Sequence, residues 1–552
     1  MTRMTTVTTR AACILVACVA LSMPEMYSTE VFVQPPSAQT PRVKLGGKVR
    51  VVSNDLNYRE HERMQFIPAN SPTLPTFDFA YVQRGSDFVP VRRGLITTTH
   101  PNFDYFLHPG KVWQNADGGT SASLPFTLMS RFINCTHNGL LTFTLGNKQP
   151  GKVLINQETC HFMKFDLWGQ VEVSYEEIDL SATDDIRNAF EEEIAHRLPL
   201  KTYADFTKDY PEADLELFDT GLPKDDALST KGIFFNGIHY ADQCRTRSGP
   251  HPFCNYMLMS SFSIAKTAFV SVAMMTLAEE FGLDIYGQRI IDYLPEANMA
   301  KGDWTAVTFN NTGDMTSGHY QNPSVMADQV AYSFFDDAPR KAKLAASFEL
   351  PYKAPPGTKM TYVTSDTFVL VAAMDAYLKR KNAPITDSFE YIVERVFKPI
   401  HLAPDVLVSR RTREHGVPNV GTAFGGYGMF WTNDAAMKVA KLMLLENGRI
   451  DGKQVLHPRA LDATMQRDPL DRGLDMRFLG FWYNNGAWAL LAKLLGERFN
   501  CNPWVTVMSG VSGVRIVMMP NGLIFYYFND AQAFPLAEQV IPADQIAPFC
   551  EG

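Results

Sequence analysis

The chain has 552 residues, 45% of them hydrophobic and 20% charged, with a formal net charge of −8. It is too long for one typical domain and apolar enough to bury a large core, so two or three domains are expected. A negative balance with no basic run interleaved with aromatics argues against nucleic acid as a partner.

The amino terminus reads as an export signal. Arg3 and Arg10 bracket the approach to an uncharged apolar stretch over residues 11–21, too short to span a bilayer comfortably. Ala20-Leu21-Ser22 offers a small-x-small cleavage site, which sets a signal peptide at residues 1–22. Leu15-Val16-Ala17-Cys18 also resembles the bacterial lipoprotein cleavage box and would leave a lipid anchor on Cys18; simple secretion ranks slightly ahead of it. No other stretch is long and uncharged enough to cross a membrane, so a periplasmic or secreted protein is expected. With Cys13 and Cys18 in the signal, Cys135, Cys160, Cys244, Cys254, Cys501 and Cys550 are left. An even number in an exported chain points to disulfides, and the three sequence-local pairs are the expectation among several connectivities. No Cys-x-x-Cys, His-x-His or His-Glu-x-x-His spacing occurs, so no metal site is indicated.

Residues 23–45 are rich in Pro, Ser and Thr and read as a linker. Residues 46–178 carry strand signals. Leu141-Thr142-Phe143-Thr144-Leu145 alternates after Asn138-Gly139, a hairpin-type pair, and Val171, Val173 and Tyr175 alternate likewise. This predicts a smaller all-β module of sandwich type, with Trp113 and Trp168 as core aromatics. From residue 179 the period lengthens. Ser181 and Thr183 can cap a helix presenting Ile186, Ala189, Phe190 and Ile194 on one face, closed by Pro199. The acidic stretch 214–226 reads as a solvated connection, so residues 179–230 are taken as a helical connector. Gly232-Ile233-Phe234-Phe235 and Gly237-Ile238-His239-Tyr240 then form a strand pair leading into the loop between Cys244 and Cys254. A helix is expected over 435–445 and strands over 514–519 and 523–528, so residues 231–552 are a mixed domain, α+β in class.

At the head of that domain Ser263 and Lys266 stand three residues apart, followed by the apolar run Val270-Ser271-Val272-Ala273-Met274-Met275. On a helix this spacing puts both side chains on one face. A helix beginning near Ser263 would aim free N–H groups and the positive dipole end at an attacking oxygen. Serine needs a base within hydrogen-bond reach to attack, and a buried lysine can serve. The spacing alone is common, and on its own it favours a capped core helix with one snorkelling lysine.

Further segments decide between these readings. Val307-Thr308 through Met315-Thr316-Ser317-Gly318, then Pro356-Gly357-Thr358-Lys359-Met360-Thr361-Tyr362-Val363-Thr364, follow in order. So do Gly425-Gly426-Tyr427-Gly428-Met429 and Met508-Ser509-Gly510-Val511-Ser512-Gly513. Together with Ser263-Ile264-Ala265-Lys266 they resemble the ordered motifs of the serine β-lactamase and penicillin-binding-protein superfamily, in its class C, esterase and 6-aminohexanoate-dimer-hydrolase branch. The resemblance covers residues 231–545 and implies an antiparallel sheet flanked by helices. It implies Ser263 as nucleophile, Lys266 as its proton acceptor and Tyr362 as the proton shuttle to the leaving group. The oxyanion hole would be the backbone N–H groups of Ser263 and Val511, with Thr364, Ser509 and Gly510 against the substrate.

Two positions depart from the pattern: Thr364 stands where asparagine is usual, and Met508 where the third motif has a cation. Arg515 is read as lying on the same strand as Met508 and on its opposite face, unable to replace that charge. His251 and His319 lie near motifs but are read as structural. The expectation is an exported serine hydrolase cleaving a neutral short-chain ester or small amide, without a cofactor. A β-lactamase or D-amino-acid peptidase is the rival within the class, and a non-catalytic envelope binding or scaffold protein the rival outside it.

Overall fold

The computed structural model describes residues 28–550, apart from positions 43, 54, 65, 66, 68–72, 180, 182, 327, 329, 331 and 337. The signal peptide at 1–22, Cys18 and the start of the linker lie outside the described residues.

The first sheet takes residues 46–177. Its strands run in the order Gly46–Ser53, Asp78–Arg84, Asp87–Pro90, Gly110–Gln114, Thr120–Ser130, Thr136–Thr144, Gln149–Glu158 and Met163–Glu177. The last of these pairs back onto the first, with Val49 opposite both Tyr175 and Phe79, so the antiparallel sheet closes on itself as a barrel rather than stacking as a sandwich. Closure removes the edges that an open sheet would have to protect. Val49, Tyr81, Leu124, Leu141, Val153 and Val173 point inward and form its core.

Asn138-Gly139, expected at a turn, lies inside the Thr136–Thr144 strand at a bulge. Tertiary contacts override the local turn preference. A Cβ on Gly139 would meet Phe126 Cζ at 2.6 Å, and the Asn138 amide reaches Leu258 in the second half of the chain.

The second sheet has nine strands in the order Leu200–Thr202, Ile238–Ala241, Leu228–Phe235, Ile524–Asn529, Val514–Met518, Trp504–Gly510, Ala487–Leu491, Phe481–Asn484 and Leu474–Met476. All its pairings are antiparallel except that of the first two strands. Asn236 and Gly237, at φ 48° and 82°, make the two-residue turn that joins Leu228–Phe235 to Ile238–Ala241.

Side chains alternate across this sheet and both faces are covered. Ile516, Met518, Ile524 and Tyr526 pack under the helices Val272–Phe281, Thr364–Arg380 and Asn433–Leu444. Val517, Phe525 and Tyr527 pack against Phe206, Phe218 and the helix Ala537–Ile546.

The segment taken as a connector, 179–230, carries the helix Asp184–Ala195, in which Arg187 and Phe190 are buried while Ala189 and Ile194 are exposed. Leu200–Thr202 is already the edge of the second sheet, and Phe218 sits buried beneath it. The acidic stretch is therefore anchored by one aromatic residue rather than solvated throughout.

The disulfides are Cys135–Cys160, Cys244–Cys254 and Cys501–Cys550, the three local pairs. Among the described residues no helix is long and apolar enough to cross a membrane.

The first sheet and the segment 404–431 that flanks the second share buried contacts. Arg93 and His108, from the first, bond the Asp405 carboxylate at 2.8 and 2.9 Å. Arg410 donates to the Arg131 carbonyl at 2.5 Å, and the rings of Phe106 and Phe430 meet at 4.9 Å. A buried guanidinium–carboxylate–imidazole cluster of this kind requires every member to be present, because one partner left alone would be an unpaired buried charge.

Candidate active site

Met259–Ser260 pairs with Phe430–Trp431, and the chain then turns sharply at Phe262, whose φ is +41°. Ser263 follows, half-buried, and the helix starts at Ile264, with Lys266 N–H donating to the Ser263 carbonyl. Residues Lys266–Ser271 form a π-helical turn. The Ser271 hydroxyl donates to the Lys266 carbonyl at 3.0 Å, and Gly486 passes so close that a Cβ there would meet the same carbonyl at 2.8 Å. Such turns widen a helix locally and occur often at functional sites.

Lys266 is 2% exposed. Its Nζ lies 3.1 Å from Ser263 Oγ, 3.2 Å from Thr364 Oγ1 and 3.1 Å from the Gly426 carbonyl. It also sits 4.6 Å from the centroid of the Tyr362 ring. Gly426 must be a glycine, since a Cβ would fall 2.5 Å from Thr367 Oγ1 and 2.6 Å from Thr364 Cγ2. Tyr362 itself is half-buried beside Trp488, and among the described residues no group hydrogen-bonds its hydroxyl. The segment that presents it is locked by Gly357 N–H donating to the Thr316 carbonyl at 2.9 Å, which joins two of the motif segments.

The third wall is the end of the Trp504–Gly510 strand. A Cβ on Gly510 would meet the Ser261 carbonyl at 2.9 Å and Phe262 Cβ at 3.0 Å, so the nucleophile turn rests directly on this strand. Val511 follows at the cavity. Among the described residues neither the Ser263 N–H nor the Val511 N–H has a hydrogen-bond acceptor.

Met508 faces away, buried in the core with Ile516 opposite it. Arg515 does not continue the strand of Met508. The chain reverses at Val511-Ser512-Gly513, and Arg515 stands opposite Ser509 on Val514–Met518. Its Nε donates to Ser509 Oγ at 3.2 Å and its Nη1 to the Phe534 carbonyl at 2.7 Å, and it lines the cavity. The site therefore has a cation, contrary to the sequence expectation. Ser512-Gly513 is a turn-forming pair and carries the signal that would have placed it correctly.

Asp328 had no sequence signal. Thr364 donates to its carboxylate from both the hydroxyl and the backbone N–H. The residue as a whole is exposed, but its carboxylate turns inward. Burial pushes that carboxyl upward while the Lys266 charge pulls it back. His251 and His319 lie outside the cavity lining, and burial holds them near 3 and 4, consistent with neutral structural imidazoles.

Ser263, Tyr362, Thr364, Val511, Asp328 and Arg515 open on one cavity of about 580 Å3, walled by Phe162, Phe262, Phe335, Phe481, Trp488 and Phe534. Among the described residues no cluster of His, Cys, Asp and Glu is arranged to hold a metal.

No known sequence family matches the chain, and no curated protein does. Solved structures similar to it include one assigned as a 6-aminohexanoate-dimer hydrolase from Bacillus anthracis, 17% identical over 63% of this chain and 86% of that one, with a TM-score of 0.40. EstCE1, a hydrolase with promiscuous acyltransferase activity, is 15% identical over 66% of this chain and 99% of its own, at 0.42. A penicillin-binding protein from Bacillus halodurans is 15% identical over 57% and 95%, at 0.39. All three are distant from this chain in sequence and in overall superposition.

Proposed function

We propose that this chain is an exported serine hydrolase that cleaves an ester or amide through an acyl-enzyme on Ser263. The observation that carries the reading is the buried Lys266 Nζ at 3.1 Å from Ser263 Oγ, on a cavity where two backbone N–H groups lack acceptors. Oγ attacks the substrate carbonyl carbon while Lys266 takes its proton. The oxygen that becomes negative lies between the N–H groups of Ser263 and Val511. As the tetrahedral carbon collapses, the leaving group departs with a proton delivered through Tyr362, and water then cleaves the acyl-enzyme by the reverse sequence of proton transfers. Thr364 supports Lys266, and Ser509 and Gly510 flank the bound acyl group. Three disulfides support an oxidising compartment, periplasmic or extracellular.

The size and aromatic lining of the cavity favour a bulky apolar acyl or alcohol portion over the short chains expected from sequence. Ser263→Ala should abolish labelling by a fluorophosphonate and lower ester turnover by several orders of magnitude. Retained labelling in Ser263→Ala would move the nucleophile to another serine, and absence of labelling in the unaltered chain would favour a binding or scaffold protein.

One observation favours a second reading, a β-lactamase or D-amino-acid peptidase. Arg515 puts a guanidinium on the cavity, where it could hold a substrate carboxylate. Comparing kcat/KM for a chromogenic cephalosporin with that for a nitrophenyl ester of a bulky acid separates the two. A higher value for the ester supports the first reading; a higher value for the cephalosporin, lost in Arg515→Ala, supports the second.

A further inference from the structure

The two N–H groups assigned to the oxyanion hole belong to different parts of the chain, yet both are steadied from the same direction. Ser263 follows Phe262, and Val511 precedes Ser512. Phe262 and Ser512 hold φ values of +41° and +78°, a region that residues with a Cβ occupy only when their surroundings hold them there. Gln532 bonds the Ser512 N–H and carbonyl from its own half of the chain, but in both cases one holding side chain comes from a link of the first sheet.

On the nucleophile side the group is Asn134, 1% exposed, in the link between the Thr120–Ser130 and Thr136–Thr144 strands. Its Oδ1 accepts from the Phe262 N–H at 3.2 Å, the Ser261 hydroxyl at 3.2 Å and the Gly428 N–H at 2.8 Å. Its Nδ2 donates to the Met429 carbonyl at 3.4 Å. One amide thus ties the nucleophile turn to the wall that carries Gly426. On the other side His161 N–H donates to Ser512 Oγ at 3.2 Å, and its Nδ1 lies 2.9 Å from the same oxygen. Burial holds this imidazole near 4, so it is neutral at ordinary pH.

Asn134 precedes Cys135 and His161 follows Cys160, and those two cysteines form a disulfide. Their neighbours Ile133 and Phe162 line the cavity.

We propose that Asn134 and His161 are positioning residues of the oxyanion hole, two arms of a brace joined by the Cys135–Cys160 disulfide. The N-terminal sheet then completes the active site rather than sitting beside it. The proposal rests on the assignment of Ser263 and Val511 as the oxyanion donors. Its physical content is that a donor displaced by even a fraction of an ångström stabilises the developing charge poorly, while ground-state binding in the apolar cavity is little altered.

The test uses the full chain with Asn134→Leu, which matches the size but has no acceptor, Asn134→Asp, which keeps the accepting oxygen, and Ser512→Ala, which removes only the hydroxyl that His161 holds. Steady-state ester hydrolysis and fluorophosphonate labelling are read alongside thermal unfolding. Asn134→Leu should lower kcat by about 100-fold with KM changed less than about threefold, and labelling should slow in parallel. Asn134→Asp should recover most of the loss, and Ser512→Ala should lower kcat by about tenfold. Should Asn134→Leu fail to fold, Asn134→Asp near wild type together with a slow, folded Ser512→Ala carries the same conclusion. Wild-type kcat in folded Ser512→Ala and Asn134→Leu, or a change confined to KM, overturns the brace. Full turnover in Ser263→Ala would instead overturn the site assignment beneath it.

Discussion

Lys266 makes three hydrogen bonds to groups of different kinds, a serine hydroxyl, a threonine hydroxyl and a carbonyl, while the Tyr362 ring covers its remaining side. The two candidate proton carriers can be separated by chemistry. Lys266→Met keeps the length of the stem and removes the base, so kcat should fall about 10²–10⁴-fold for every substrate, the range for a general base. Tyr362→Phe keeps the ring against Lys266 Nζ and removes only the hydroxyl. If that hydroxyl protonates the leaving group, a nitrophenyl ester, whose leaving group needs no proton, should lose little. An alkyl ester of the same acid should lose about 10²-fold. Equal losses on the two esters would assign Tyr362 a packing role beside Trp488.

At the scale of elements, the site depends on a loop lying against a strand. Gly510→Ala would bring a Cβ to 2.9 Å from the Ser261 carbonyl and 2.8 Å from Val514 Cγ2, with backbone on one side that cannot rotate away. The nucleophile turn should shift and kcat/KM should fall about 10²-fold, a misplacement effect. A normal kcat/KM in this variant would mean that the turn can yield without cost. The local chemistry of such elements was legible in the sequence. Ser263 and Lys266 are legible as a pair because three residues on a helix share a face, whereas Tyr362 enters only through the resemblance of its segment to a family motif. The strand pair on either side of Asn236 was legible from its two apolar runs, and the turn between them is left-handed at Asn236 and Gly237. The hairpin preference of an Asn-Gly pair misplaced Asn138-Gly139, where a bulge and the Leu258 contact decide the conformation. Reading one strand through the turn at Ser512-Gly513 puts Arg515 on the wrong strand. Asn134, His161 and Asp328 carried no local signal, since each acquires its partner from a segment distant in sequence.

The molecule as a whole buries two opposed sets of titrating groups. Burial lifts Asp314, Asp375 and Asp530 to about 7 and Asp366 to about 8, against 3.8 for an ordinary aspartate. Burial also lowers His161, His239 and His319 to about 4 and His251 to about 3, against 6.5. A carboxyl raised in the folded chain contributes stability that is present below the unfolded value and lost as pH rises through the folded one. A histidine lowered in the folded chain contributes stability that is present above 6.5 and lost as pH falls toward its folded value. Between about pH 4 and 6.5 the unfolded chain has released the protons of these carboxyls and taken up those of the histidines, so the two sets oppose each other and stability should vary little. Above pH 6.5 the unfolded histidines are neutral and only the carboxyl set acts. Each proton held by the folded chain alone then costs about 1.4 kcal/mol per pH unit. The carboxylates held low, Asp405 by Arg93 and His108 and Glu158 by Arg247, respond only below about pH 4 and do not counter this fall. Melting temperature should therefore decline from pH 6.5 to 8.5. Of these carboxyls Asp366 titrates last, and its carboxylate accepts a long bond from the Ser317 N–H at 3.4 Å. Asp366→Asn keeps that acceptor and cannot ionise, so its decline over the same range should be shallower, as measured by calorimetry at matched ionic strength. Parallel declines in the two proteins would remove Asp366 from the account and leave the alkaline loss to other groups.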